Sequence, residues 1–518
     1  MDIVIALDHR SAEPLHAQIY EGLRAAILTG RLKAGERVAS TRALARSLRV
    51  SRATVTQSYE RLISEGYLEA AVGSGTSVCA RLPEELSQPA PPKMPPRSGG
   101  RPAPAPLSAF GRDVLSVVRE PEEPGLQINF RYCRPAVDQF PMALWRRLLL
   151  RQYRTAGAQM LDYAEDGRGY GPLREAIARY LGRSRAVRCD AEQVLIVNGS
   201  QQALSLTAQL LLDRGDAVAM EDPGYQGARH AFLAQGARIR PIPVDGAGLR
   251  VDRLAGPAGA GSKLVYVTPS HQFPTGAILP LARRLELLAW AENSGAWIIE
   301  DDYDSEFRYD SRPVPCLQGL AGSESVIYVG TFSKILFPSL RIGYLVVPRA
   351  LARAFERAKW LGDRHTPLVE QWALADFITE GHLESHLRRM RVLYDRRRQT
   401  LARALQQQLG DRVTILGENS GMHLMIRVQT GLRDDEVVRC AAAAGVGLTD
   451  ARIYYAGAPG RARAGEFVLG YAPLSERKIQ EGVRRLARIL LESAADPSGP
   501  RRRRFQMNST KSLPENSN

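Results

Sequence analysis

The 518-residue chain has no uninterrupted apolar run of the roughly 18 to 20 residues that cross a bilayer. Nor does a basic leader with an apolar core open it. The expectation is a soluble, cytoplasmic protein with no membrane partner. Cysteine is scarce: Cys79, Cys133, Cys189, Cys316 and Cys440 lie far apart, are odd in number and form no CxxC pair. That pattern argues for reduced thiols and against a disulfide framework or a zinc site. No internal repeat is visible.

A hydrophobic fraction of 44% and a charged fraction of 24% are those of ordinary globular protein. The length exceeds what one core usually serves, so two or more domains are expected. The net charge of +15 matters because it collects: between Arg31 and Arg61 stand eight Lys/Arg against two acids. A local basic excess of this kind points to nucleic acid.

Residues 88–107, QPAPPKMPPRSGGRPAPAPL, hold eight prolines in twenty positions, a composition that favours an extended spacer over a core. The reading is a linker over 83–114 between a small module at 1–82 and a large one at 115–492. A polar, basic tail at 493–518 is expected to be disordered.

In the small module Leu15, Ile19, Leu23 and Ile27 recur every four residues and mark one helix face, with Gly30 closing it. Second and third helices are predicted behind Ser40 and Ser51 as N-caps, with Val55, Tyr59 and Leu62 turned inward. A hairpin with its tip at 73–75 would follow as a wing. In a helix-turn-helix of this spacing Arg52 and Thr54 approach base edges, Ser51 opens the recognition helix, and Ser40 and Arg42 meet phosphates. Periodicity alone allows a generic three-helix domain equally well. The words ASTRALARSLRVSRATVTQSYERLISEGYL resemble the winged helix-turn-helix of the GntR family, which implies double-stranded operator DNA as a partner. Ala39 departs from that pattern, where a proline is usual.

The large module alternates helical patterns with short β-rich runs at 193–197, 217–221, 264–268, 297–301, 326–330 and 343–348. The expected class is α/β with a mainly parallel sheet covered on both faces. In GTFSKILFPSLRIGYLV, Lys334 stands among Thr331, Ser333 and Arg341, groups suited to a phosphate. An amine beside a phosphate site meets the needs of pyridoxal 5'-phosphate (PLP), held by its phosphate and by an imine to lysine. Asp301 in IIEDDYDSEF closes a strand and could keep the pyridine nitrogen protonated, with Tyr303 on the 3'-oxygen. No histidine accompanies this acidic run at ligand spacing, which argues against a metal. Tyr225 in EDPGYQGAR could stack on the ring, and the backbone around Ser200 and Gln201 would meet the phosphate at a helix N-terminus.

From about 127 to 490, in this order, VNGSQQAL, EDPGYQGAR, TPSHQFPTGAILP, IIEDDYDSEFRY and TFSKILFPSLRIGY resemble a class I, fold-type I aminotransferase. With its GntR-like head the chain resembles the MocR subfamily of PLP-dependent regulators. The resemblance implies a smaller C-terminal α+β subdomain and Lys334 as the Schiff-base lysine. It places Asp301, Tyr303 and Tyr225 on the ring and Ser200, Gln201, Ser333 and Arg341 on the phosphate. It further implies a head-to-tail homodimer in which Tyr163 reaches the partner's phosphate. Two departures stand out. Phe273 replaces the usual Asn of Asn-Pro-Thr-Gly, leaving His271 or Gln272 to compensate, and Val468 stands where aminotransferases place the arginine that grips the substrate α-carboxylate. Arg229, Arg461 or Arg463 would have to replace that arginine. The pattern HLESH (382–386) lacks the glutamate placement of a zinc motif and reads as a surface or interface helix.

The reading is a PLP-dependent, DNA-binding regulator that senses a small amine, an amino acid or PLP itself through the Lys334 aldimine. Enzymatic turnover is the lesser expectation. The alternative is a working aminotransferase with an appended DNA head.

Overall fold

The computed structural model describes residues 5–71, 75–83, 106–115, 125–132, 134–155, 157, 162–164, 166–309, 315–321, 324–456 and 463–495. It divides into two compact units, Met1–Pro106 and Leu107–Asn518.

The first unit builds α1 (Leu15–Leu28), α2 (Thr41–Leu48) and α3 (Arg52–Ser64). The four-residue period of α1 buries Ile19, Leu23 and Ile27 in one cluster with Val55, Tyr59 and Leu62 of α3. Ser40 and Ser51 cap the second and third helices, accepting from Ala43 N and Thr54 N. The turn between α2 and α3 is made by Arg49, which takes a left-handed conformation with φ 53°. Strands β1 (Leu68–Ala71) and β2 (Gly75–Val78) pair antiparallel as the expected hairpin; residues 73 and 74 of its tip lie outside the described residues, as do most of the linker and the tail from 496. The helix Ala109–Leu115 falls within the span read as linker, and its Asp113 pairs with Arg214 at 2.9 Å. The proline run ends at Pro106, so nothing forbids a helix three residues later.

In the second unit β3 (Ile128–Asn129) pairs with β14 (Val446–Gly447). The central sheet is formed by β4 (Val194–Val197), β5 (Ala217–Asp222), β6 (Arg238–Asp245), β7 (Gly248–Leu249), β8 (Ser262–Val267), β9 (Trp297–Asp302), β10 (Val326–Thr331) and β11 (Gly343–Val346). Its spatial order is β4-β11-β10-β9-β8-β5-β6-β7. Neighbours from β10 through β6 run parallel, and β11 opposes both β10 and β4. Strands β4, β5, β10 and β11 are buried at every position, as a sheet covered on both faces requires. Strand β6 escapes the sequence reading because Pro241 and Pro243 lie within it. Both are tolerated because β7 pairs with β6 only at Val244 and Asp245, and Pro243 is met beyond β7 only as an acceptor, from Arg250 N at 2.9 Å, so no missing N–H is called for.

A second sheet, β12 (Val413–Leu416), β13 (His423–Val428), β16 (Glu466–Gly470) and β15 (Thr449–Asp450), is antiparallel throughout. With the helices His382–Leu409 and Glu476–Ala495 it forms the expected C-terminal α+β part. Among the described residues no helix is long and apolar enough to cross a membrane, and Cys79, Cys189, Cys316 and Cys440 are unpaired thiols.

Candidate functional site

The parallel strands of the central sheet end at a common edge, where open α/β sheets take ligands. At the end of β9 the pleat sorts three consecutive acids. Glu300 accepts from the backbone N–H groups of Leu317 and Gln318 at 2.8 and 2.9 Å, and Asp302 accepts from Arg185 at 2.7 Å and Tyr328 at 2.5 Å. Asp301 lies between them on the other face. Its Oδ2 accepts from Tyr266 Oη at 2.7 Å, while its buried Oδ1 has no hydrogen-bond partner. Burial pushes the Asp301 carboxyl up to about 7, against the lowering effects of the Tyr266 hydrogen bond and the Lys334 charge. An acid so placed suits one external N–H donor.

Beyond β10, Thr331 Oγ1 accepts from Ser333 N at 3.1 Å, and Ser333 Oγ is buried without a partner. Lys334 Nζ stands 5.6 Å from the centroid of the Tyr132 ring. Arg341 is held in the left-handed region at φ 52°, and its Nη2 donates to Asn198 O at 2.8 Å. This guanidinium fills the space over Gly199, where a Cβ would come within 2.9 Å of Nη2 on a backbone with φ +84°. Gly343 packs against Gly199 closely enough that its own Cβ would meet Gly199 Cα at 3.0 Å. The helix Ser200–Leu211 starts at this point with no side-chain cap, so its first N–H groups face the cradle made by Arg341 and Ser333. The Gln201 side chain is turned away, donating to Gly227 O at 3.0 Å. Only its backbone is left for an anion.

Tyr225 precedes the helix Gln226–Ala234 and sets its ring edge-on to Phe273 at 5.9 Å. Tyr303 Oη donates to His271 O at 2.8 Å and lies 3.1 Å from His271 Nδ1, which pairs with Asp304 at 3.0 Å. His423 adjoins, its ring centroid 4.8 Å from that of His271 and its Nε2 donating to Pro274 O at 3.0 Å. The spacing argument against metal is corrected here: two histidines do accompany an acid of the β9 run, brought from the β8 loop and from β13. His271, Asp304 and His423 could offer ligand atoms within 4.8 Å of one another. His271 and Asp304 form a hydrogen-bonded support behind Tyr303, whereas among the described residues His423 bonds only Pro274 O, and His271 Nε2 and His423 Nδ1 are buried without partners. Sequence reading missed this role, and it also missed Tyr266 and Tyr132, for which no local motif exists.

Tyr163 is 77% exposed and stands edge-on to His365 at 6.1 Å. Arg229 donates to the carbonyls of Ile453 and Tyr454 at 2.7 and 3.4 Å. Arg463 is exposed, and Arg461 lies outside the described residues. In HLESH, His386 donates to Ile335 O at 3.1 Å and is pushed down to about 4 by burial, while His382 pairs with Glu380 at 3.1 Å. These histidines serve different neighbours and share no ligand.

In the first unit Ser40, Arg42, Ser51 and Arg52 are exposed and Thr54 is half-buried. The Ser40 and Ser51 hydroxyls accept capping hydrogen bonds at 3.2 and 3.1 Å, so capping is their first task. Neither α2 nor α3 has an acid in its first turn, and each carries an arginine there. Two positive helix ends flanked by cations favour an external polyanion.

Comparison with known proteins agrees with both halves. Residues 150–486 match the family model "Aminotransferase class I and II", and 15–78 match "Bacterial regulatory proteins, gntR family". The chain is 40% identical over 493 residues to the probable rhizopine catabolism regulatory protein MocR of Rhizobium meliloti, covering 95% of this chain and 97% of that one. It is 35% identical over 492 residues to the HTH-type transcriptional regulator TauR of Rhodobacter capsulatus, covering 94% and 96%. Among solved structures, Thermus thermophilus LysN, an α-aminoadipate aminotransferase complexed with N-(5'-phosphopyridoxyl)-L-leucine, superposes with TM-score 0.66 at 31% identity, covering 75% of this chain and 96% of that one. The chain belongs to the MocR-type transcriptional regulators, in which a gntR-family winged helix-turn-helix is joined to a PLP-dependent, class I and II aminotransferase domain. The unpartnered Asp301 Oδ1, the unpartnered Ser333 Oγ and the Gly199 cradle fit that cofactor's ring nitrogen and phosphate.

Proposed function

We propose that this protein is a homodimeric regulator that binds operator DNA through residues 1–82. In this reading residues 115–492 hold PLP at Lys334 and sense a small amine, an amino acid or PLP itself. When bound, the cofactor supplies a carbonyl that forms a reversible C=N bond with a primary amine, and a ring that withdraws electrons once its nitrogen is protonated. Asp301 orients the ring and stabilises the proton on its nitrogen. Tyr303, steadied by His271 and Asp304, would donate to the ring oxygen by turning its one hydroxyl proton away from His271 O, and Tyr225 would cover one ring face. Ser333, Arg341 and the N–H groups at Ser200 and Gln201 hold the phosphate, with Tyr163 of each subunit serving the other. Exposed apolar side chains, including Met142, Leu150, Tyr153 and Leu361, supply surface for such a dimer.

The observation that carries the reading is the buried Asp301 oxygen left without a partner in the pocket that Lys334 shares. The effector acts by preferring one arrangement of the cofactor domain over another. Borohydride reduction of PLP-loaded protein, followed by peptide mass mapping, should find the adduct on the peptide containing Lys334. An unmodified peptide from fully loaded material rejects the reading. Sustained exchange between an amino acid and a 2-oxo acid would instead support the enzymatic alternative, which the likeness to LysN favours.

A further inference from the structure

Resting on that reading of Lys334, we infer that the effector is a primary amine without an α-carboxylate, seated against an aromatic wall. The wall begins at Tyr132, whose ring lies 5.6 Å from Lys334 Nζ. Phe273 packs 4.7 Å from Tyr132 and 4.7 Å from Tyr454. Met425 on β13 and Val468 on β16, direct cross-strand partners, complete the same buried cluster together with Ala451 and Tyr303.

A carboxylate brought here loses its water and needs a guanidinium in exchange. Across the strands, Met425 and Val468 face each other at the site with apolar side chains. Three arginines near it are committed elsewhere: Arg229 to two backbone carbonyls, Arg427 to Glu466 at 2.8 Å, Arg452 to Asp450 and Asp434; Arg463 is exposed at the cleft beyond. Val468, which the sequence resemblance sets where aminotransferases place their carboxylate-gripping arginine, is fully buried. Electrostatics point the same way. A cleft of about 850 Å³ shares Met425 and Leu416 with the wall, and four carboxylates border it (Asp222, Asp245, Glu418, Glu466) against two guanidinium groups, Arg427 and Arg463. Asp245 and Glu466 are paired with Arg283 and Arg427, so the border offers an entering carboxylate no surplus of cations and leaves an amine unopposed.

The test uses full-length, PLP-loaded protein titrated with matched pairs that differ only in the carboxylate: phenethylamine with phenylalanine, isoamylamine with leucine, ethanolamine with serine. Cofactor absorbance and operator affinity are read together. Each amine is expected to reach half-saturation at a concentration lower by about tenfold or more. Equal or tighter binding of the amino acids, for example through Arg131 or Arg463, overturns the inference. Val468→Arg, checked by thermal unfolding, should shift the preference toward the amino acids; because the wild-type pairs alone decide, failure of the variant to fold leaves the test intact. Protein that never takes the cofactor at Lys334 fails the earlier reading, whereas loaded protein that prefers amino acids fails this one alone.

Discussion

Asp301 keeps one oxygen unpartnered where water cannot reach it, a costly state for a carboxylate unless a ligand completes it. Its carboxyl is raised to about 7, so in the cofactor-free protein it stays protonated up to about that pH while the unfolded chain ionises near 4. With the folded value raised, the contribution to stability is fully present below pH 4 and is lost as pH climbs through 7. Asp301→Asn removes that loss. Denaturant unfolding of the cofactor-free variant should show a gain over wild type that grows by about 2–3 kcal/mol between pH 5 and pH 8, and a gain independent of pH contradicts the assignment. At the other functional surface, Arg52→Ala is expected to lose preference for the operator over random duplex while keeping most non-specific binding, as gel shifts at fixed salt will report. Lys334 and Asp301 were legible because each carries its chemistry within a short local word. Tyr266, Tyr132 and His423 were not, because their roles arise from packing across strands distant in sequence. The spacing rule that dismissed histidine looked along the chain, whereas His271 and Asp304 meet across adjacent strand ends.

Helix starts are the recurrent device among the elements. Ser51 caps the recognition helix, and Ser51→Ala should lower the stability of the first unit by about 1 kcal/mol, seen as a lower midpoint in thermal unfolding. The cofactor domain uses an uncapped start at Gly199 and fills the space with Arg341. Gly199→Ala puts a methyl group against that guanidinium on a left-handed backbone. We expect a loss of about 1–2 kcal/mol in stability and a fall in PLP affinity of about tenfold or more, measured by cofactor titration; unaltered affinity removes the phosphate role from this loop. Regular elements with clear periodicity were readable, including the six runs that became sheet strands. Strand β6 was hidden by two prolines whose missing N–H groups no pairing with β7 calls for, and the helix Ala109–Leu115 by the proline-rich stretch before it.

On the scale of the whole molecule, two compact units with separate cores imply separate unfolding. Calorimetry should resolve two transitions, and saturating PLP should raise only that of the larger unit, by mass action on the native form. A single transition that moves as one body would contradict independent cores. The basic excess between Arg31 and Arg61 assigned the DNA role to the first unit before any contact was known, since charge is a bulk property that composition reports. A dimer, and any reach of Tyr163 into a second copy, would be relations between copies, which one chain's residue pattern does not encode.

The floor beneath the phosphate exists only when β4 and β11 lie side by side and Gly199 meets Gly343. A ribosome therefore finishes the DNA head long before it releases the segment that completes this floor. A chain that stops before residue 346, the end of β11, has every residue of the first unit and none of this floor.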